Sequence, residues 1–344
     1  MNLKSQSVAV VILSWNDWKN TIECLNSVFN NSFPKFDIIL IDNNSEKFHY
    51  DKILNWCLKK KITVNFIKNK EKEKKIISKF KKKSLFIYRI NEIADFPFAK
   101  NLGISRGYNK GLNFALKKKY DFFIRLDCDF IVPKNFISGM VETLNENPKA
   151  SAASPKVYYY LKKKKTKIIW WTNLNFSKNY FRFHRTGQTG NRRVLDKGQF
   201  KGQIKSDSIC GCCVMFRTNS VKKAIKINPA RKNVLDEDFF FGPDDMELSN
   251  RLTKIGDIVV NLNYYAHHKV SQSIHVSGIK SNIYFATIGW LLITKKICNK
   301  MDQLIARIFF LTRGILHLIR LMYKKDKDPH IGFLLGLKDY FLKY

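Results

Sequence analysis

Short apolar runs of strand length alternate along this chain with segments whose apolar residues recur every three or four positions, a pattern that predicts an α/β fold. Residues 8–13 are uninterruptedly apolar, as a strand covered on both faces requires. Residues 20–28 carry apolar side chains at helical spacing, with Asn20 or Thr21 as the cap, and residues 36–42 form a second strand ending on Asp42. Strand, helix and strand within about forty residues make a βαβ unit, whose ligands gather at the carboxyl ends of its strands. Asp42 therefore stands where a nucleotide base or ribose is held. Further along, the pattern predicts a helix over 50–60, strands over 63–67 and 84–88, a helix over 135–146, and strands over 150–160, 208–217 and 258–262.

Residues 122–133 form the run on which the rest is organised. Four apolar residues, interrupted by Arg125, lead into Asp127 and Asp129, and Pro133 breaks the run beyond them. On a continuous strand the two acids share a face, because side chains alternate with a period of two. Two like charges that close need a cation beside them, and a hard divalent metal shared with a substrate phosphate supplies it. A strand that simply ends in a solvated acidic turn fits the same residues equally well.

Two more stretches carry chemistry. Gly103, Gly107 and Gly111 recur every four residues, so on a helix they line one face and admit a close approach by backbone or ligand. Tight packing on the sheet accounts for that spacing as well, while Asn101, Arg106 and Asn109 add polar groups able to reach a diphosphate or a sugar. The glycine spacing does not fit the dinucleotide fingerprint, which follows a first strand. The second stretch, residues 236–252, concentrates acids after three phenylalanines, with Pro243 suited to the first turn of a helix. Partial desolvation of a carboxylate there is how a general base is tuned.

Composition narrows the picture. A formal charge of +34, from 62 Lys and Arg against 28 Asp and Glu, draws anions of any kind, and in a chain so poor in acids a cluster of them is conspicuous. Seven cysteines do not make a disulfide framework and suit a reducing compartment, and Cys210, Cys212 and Cys213 lack the second ligand pair that zinc needs. The lysine-rich residues 68–83 read as an exposed insertion, and residues 8–13 are too short for a signal peptide, which points to the cytoplasm. Trp170, Trp171 and the aromatics through Phe183 read as an irregular region, either a cover over the cleft or a structural cluster.

Taken in chain order, these segments resemble the family 2 glycosyltransferases of the GT-A fold, in particular rhamnosyltransferase-like members that extend cell-surface polysaccharides. The resemblance runs from about residue 8 to 273 and rests on Ser14-Trp15-Asn16, residues 41–45, 101–109, 126–129 and 198–200, Asp207 with Gly211, residues 239–251 and His268-Lys269-Val270-Ser271. It implies a Rossmann-like, mostly parallel sheet flanked by helices, and beyond residue 281 the likeness fades into a C-terminal helical extension. It places a catalytic unit at 1–280, divided into a nucleotide-sugar half (1–135) and an acceptor half (136–280), followed by a helical segment at 281–344. By this likeness Ser14, Asn16, Asp42, Asn101, Gly103, Arg106, Asn109 and Asp127 bind the nucleotide-sugar. Asp129 and His268 hold Mg2+ or Mn2+, Asp245 is the base, and Asp244, Gly211 and Trp171 lie on the acceptor side. The reaction implied is inverting transfer from a dTDP-rhamnose-like or UDP-sugar donor to a hydroxyl of a growing, lipid-linked glycan. Residues 68–83 have no counterpart in the family, and Asp244-Asp245 stands where Glu-Asp is common.

Two other classes compete. A nucleic-acid-binding protein explains the charge but not paired acids at strand ends, which repel phosphate without metal, so nucleic acid is not the expected partner. A catalytically silent glycan-binding relative is disfavoured by Asp129 and Asp245. In the tail, residues 283–294 are apolar but shorter than the ~20 residues a membrane span needs. Over residues 304–324, Arg313, His317, Arg320 and Lys324 fall on one helical face opposite Leu, Ile and Phe. That helix either lies in an anionic membrane surface, placing the protein peripherally on the inner face of the cytoplasmic membrane, or packs on the catalytic unit with its basic face in water.

Overall fold

The computed structural model of the chain describes residues 6–67, 84–161, 164–171, 194–227, 232–270 and 278–344. The expected insertion at 68–83, the aromatics beyond Trp171 as far as Phe183, and Ser271 lie outside the described residues.

The first apolar run becomes β1 (Val8–Ser14), buried on both faces as its composition demands. Helix α1 (Trp18–Phe29) starts before the predicted cap, because the Asp17 carboxylate accepts from the Asn20 N–H at 3.2 Å. Thr21 is thereby buried inside the first turn, where its hydroxyl pairs with that of Ser14 at 2.7 Å. Strand β2 (Phe36–Asn43) follows, then α2 (Lys47–Lys59), which begins earlier than the apolar spacing over 50–60 indicated, and β3 (Val64–Phe66) and β4 (Leu85–Ile90). After α3 (Gly103–Lys117) the central run forms β5 (Phe122–Asp127), a turn at Cys128 and Asp129, and the short β6 (Phe130–Ile131). Asp127 and Asp129 thus do not share the face of a continuous strand, since the strand stops at the first acid and the turn presents the second.

The chain continues through α4 (Phe136–Glu146), β7 (Ala150–Leu161), β8 (Lys164–Trp171) and β9 (Val194–Leu195). The segment ending in Trp170 and Trp171 is therefore a strand paired with β7 rather than irregular backbone. Next come β10 (Gln203–Ser206), β11 (Cys213–Arg217), α5 (Thr218–Ile227), α6 (Asp244–Leu252) and β12 (Asp257–His268). Residues 208–212, expected in a strand, form the approach to β11, and Pro243 caps α6 rather than opening its first turn. Three helices end the chain: α7 (Ile279–Ile297), α8 (Lys300–Tyr323) and α9 (Asp328–Lys343).

The strands join in the order β10-β12-β7-β11-β5-β1-β2-β4-β3. From β5 to β3 all neighbours run parallel, while β11 enters antiparallel between β5 and β7. Alternation along β1 divides the core between the two sheet faces. Val8, Val10 and Ile12 pack toward α1, α2 and α4, and Ala9 and Val11 toward α3, α5 and α6. A third cluster joins α7 to Phe239 and to Met246 of α6. The glycine face of α3 meets the sheet closely, for a Cβ at Gly111 would stand 2.6 Å from Val11 Cγ1 and 3.0 Å from Ile41 Cδ1.

Candidate active site

Register brings the acids to one edge. Ser14 ends β1 opposite Asp42 of β2, and Leu13 stands opposite Asp127 of β5, so both carboxylates occupy neighbouring carboxyl ends of parallel strands. Asp42 has no exposure and neither of its oxygens has a hydrogen-bond partner; Arg89 Nε is 3.6 Å away. Burial raises its carboxyl above the usual range, with Ser45 and Arg89 offsetting part of the rise. A buried acceptor without a donor is costly unless a ligand supplies one.

Asp127 accepts from the Tyr108 hydroxyl at 2.6 Å. Burial pushes its carboxyl up to about 6, Arg125 works against the rise, and Asp129 adds to it. Asp129 owes its position to the pairing of β6 with β12, which sets His268 opposite Phe130. The imidazole stacks on Phe130 at 4.4 Å, meets the edge of Trp170 at 4.5 Å and places Nε2 3.2 Å from Asp129 Oδ1. Among the described residues no three His, Cys, Asp or Glu side chains converge as a ligand set. What is present is one carboxylate and one imidazole, with the Asp127 charge beside them. Oxygen and imidazole donors of this kind suit Mg2+ or Mn2+ provided that a substrate diphosphate completes the shell.

The second acidic group opens α6. Asp244 is buried against Arg125, Oδ2 to Nη1 2.5 Å, and the guanidinium lies 4.5 Å over the Tyr108 ring. Burial works against the Arg125 charge, but Asp244, Tyr108 and Asp127 more than offset it and hold the guanidinium protonated. Asp245 is partly exposed; its Oδ1 accepts from the Met246 N–H at 2.9 Å, and burial together with the adjacent Asp244 pushes its carboxyl up to about 7. Gly211 is obligatory beneath it, since a Cβ there would stand 2.6 Å from Asp245 Oδ2. One residue on, the Cys212 carbonyl accepts from the Asp127 N–H at 3.0 Å. Residues 211 and 212 thus bridge the two acidic groups, and a second path runs from Asp127 through Tyr108 and Arg125 to Asp244.

Several expected ligands are committed elsewhere. The Ser14 hydroxyl is bonded to Thr21, and Asn16, at a positive φ of 50°, accepts from the Glu46 N–H at 2.8 Å. Asn101 accepts from the Gly103 N–H at 2.7 Å and so opens α3, while Asn109 exchanges two hydrogen bonds with the Leu235 backbone and donates to Glu237. The Asn101 and Asn109 side chains hold loops. At Gly103, φ is 79° and a Cβ would stand 2.6 Å from Phe240 O, so the residue admits backbone rather than ligand. Arg106 lies 5.9 Å from the Phe96 ring centre. Trp171 pairs with Val157 at the end of β8, and its side chain lies outside what is described. Cys210 and Cys213 are buried free thiols, Cys212 is half-buried, and burial raises Cys213 further.

Tyr108, Arg125 and Arg89 escaped the sequence reading. Arg125 had a signal, because a cation inside an apolar strand demands a buried partner. Tyr108 had none beyond its place on the glycine helix.

Residues 9–80 and 70–224 match the family described as Glycosyl transferase family 2. No curated protein matches the chain. Among solved structures, S. aureus TarS 1-349 aligns at a TM-score of 0.51 and 14% identity over 97% of this chain and 80% of that one. The longer S. aureus TarS aligns at 0.50 and 14% identity over 98% of this chain and 49% of that one. Identities so low speak to the fold alone, which is the GT-A arrangement of central sheet and flanking helices.

Proposed function

The chain belongs to glycosyl transferase family 2 and is a glycosyltransferase, and on that premise we propose that it transfers a sugar from a nucleotide-diphospho-sugar to an acceptor hydroxyl with inversion. The observation that carries this reading is the half-exposed Asp245, raised to about 7 and joined through residues 211 and 212 to the Asp127–Asp129 turn. A base with a value near neutrality is matched to accept the acceptor hydroxyl's proton. As that proton moves to Asp245, the acceptor oxygen bonds the anomeric carbon and the bond to the diphosphate breaks on the opposite face. Asp42 accepts a base N–H from the donor, which satisfies its bare oxygens, and Asp127 lies on the ribose and phosphate side. Arg125 pairs with the buried Asp244, which leaves Asp245 as the carboxylate of this helix start open to an acceptor.

Asp129 and His268 would hold Mg2+ or Mn2+. When bound, the ion offsets charge on the departing diphosphate. We assign residues 1–280 to this catalytic unit and 281–344 to a helical extension. The donor class is a dTDP-rhamnose-like or UDP-sugar, and the acceptor is a lipid-linked glycan of the cell surface, met at the inner face of the cytoplasmic membrane.

Donor binding and hydrolysis across a panel of nucleotide-sugars, with Mg2+, with Mn2+ and with chelator, test the reading. Metal-dependent turnover of one donor, lost in Asp129→Ala and in Asp245→Ala with the fold intact, is the expected result. Turnover that survives both substitutions would remove the site from the reaction.

A further inference from the structure

Helix α8 turns most of its apolar face away from the protein. The side it turns to the protein is a narrow seam of Ala306, Phe310, Gly314 and His317, seated on α9. There His317 stacks on Phe333 at 4.2 Å, and a Cβ at Gly314 would meet Leu337 Cδ2 at 2.9 Å. His317, placed by spacing on the basic face, is buried. The apolar residues instead point outward. Leu304, Ile308, Leu311, Ile315, Ile319 and Met322, spaced three and four apart, form one exposed stripe, with Ile315 at 59% and Met322 at 76% exposure. Phe309 and Leu316 widen it on one side. Soluble monomers rarely leave so long a contiguous apolar surface in water, and it costs roughly 25 cal/mol for each Å² left uncovered.

We propose that α8 is an interfacial helix that lays this stripe into the surface of an anionic bilayer. Charge selects that occupant. Helical spacing puts Arg307 on one margin of the stripe and Arg313 and Arg320 on the other, and residues 300–327 hold seven Lys and Arg against two Asp. Such margins complement acidic lipid headgroups while their stems follow the apolar surface. A second copy of the chain would bring two positively charged rims together. No helix among the described residues is long and apolar enough to cross a membrane, which leaves α8 lying along the surface. From there the contact passes inward. Helix α9 packs on α7, and a Cβ at Gly289 of α7 would stand 3.0 Å from Phe241 O and 3.1 Å from Pro243 Cδ, at the start of the helix that carries Asp245. Docking through α8 is thereby linked by packing, through α9 and α7, to the start of α6. The stripe would dock whether or not the proposed reaction holds.

Flotation of the full chain with vesicles tests it without any donor. Binding to phosphatidylglycerol-containing vesicles at low salt is expected, weaker on pure phosphatidylcholine and weakened by salt of about 0.5 M. The triple variant Ile308→Ser, Ile315→Ser, Ile319→Ser should bind at least about tenfold more weakly with an unchanged circular dichroism spectrum and thermal midpoint. Arg307→Ala with Arg320→Ala should lose the preference for acidic lipid. Absence of binding by the parent chain would overturn the proposal, as would full binding by the triple variant. A stable dimer that the triple variant dissolves, with no vesicle binding, would assign the stripe to a second copy instead.

Discussion

At the scale of the residue, Asp245 joins function to stability with opposite signs. Its carboxyl, raised to about 7 against 3.8 for an unperturbed Asp, stabilises the fold when protonated. That contribution is complete below about pH 4 and is lost as pH rises to about 7, because the folded chain then holds a proton that the unfolded one has released. Asp245→Asn keeps an acceptor for the Met246 N–H but cannot ionise. Its thermal midpoint at pH 8 is expected to exceed the parent's, while turnover falls by roughly two to four orders of magnitude and the rising limb of the parent's pH–rate profile near 7 disappears. Arg125 is the complementary case. Arg125→Met should cost about 3 to 5 kcal/mol in a urea titration, since it strands Asp244 as a buried charge. The double variant with Asp244→Leu should recover most of that loss. A double variant as unstable as the single one would mean that Asp244 does not depend on Arg125.

At the scale of the element, the helix α3 shows how far periodicity reaches. Three glycines at a spacing of four marked one face of a helix, but whether that face served a ligand or the sheet was open. Contact decides for packing: Gly107 and Gly111 lie against β1 and β2, and Gly103 lies against the Phe240 carbonyl. Gly111→Ala should therefore destabilise by about 1 to 3 kcal/mol, read as a lower urea midpoint, with donor affinity unchanged in the folded fraction. Strand β5 makes the converse point. Its apolar run and final acid were plain in the sequence, but its end at Asp127 was not, because the turn at Cys128 and Asp129 follows from the pairing of β6 with β12, across more than a hundred residues of chain.

At the scale of the whole molecule, the C-terminal helices are packed on α6, the helix that opens with Asp244 and Asp245, rather than appended to the sheet. Phe239 and Met246 share a buried cluster with Tyr284, Ile288 and Leu291, and Lys296 is paired with Asp236 and Asp238. Gly289→Val would force α7 away from Phe241 and Pro243. Its expected outcome is a lower thermal midpoint together with reduced turnover, measured as kcat on whichever donor the parent uses. Unchanged kcat in a destabilised variant would show that α6 holds its place without α7.

What the sequence determined by itself is what short-range physics controls. Apolar runs and helical spacing specified the α/β order, and acids at the ends of Phe36–Asn43 and Phe122–Asp127 marked the strand edge where the site forms. Tertiary structure alone decided which polar groups remain available to a substrate. Asn101 and Asn109 were chemically as suitable as Asp42, but the first two are hydrogen-bonded to backbone in the folded chain while the Asp42 oxygens face only the Arg89 charge at 3.6 Å. It decided the orientation of α8 as well: amphipathic spacing describes two faces, and only packing against α9 determines which one meets the protein. A hydrogen bond or a buried face depends on what lies opposite, and what lies opposite comes from distant parts of the chain.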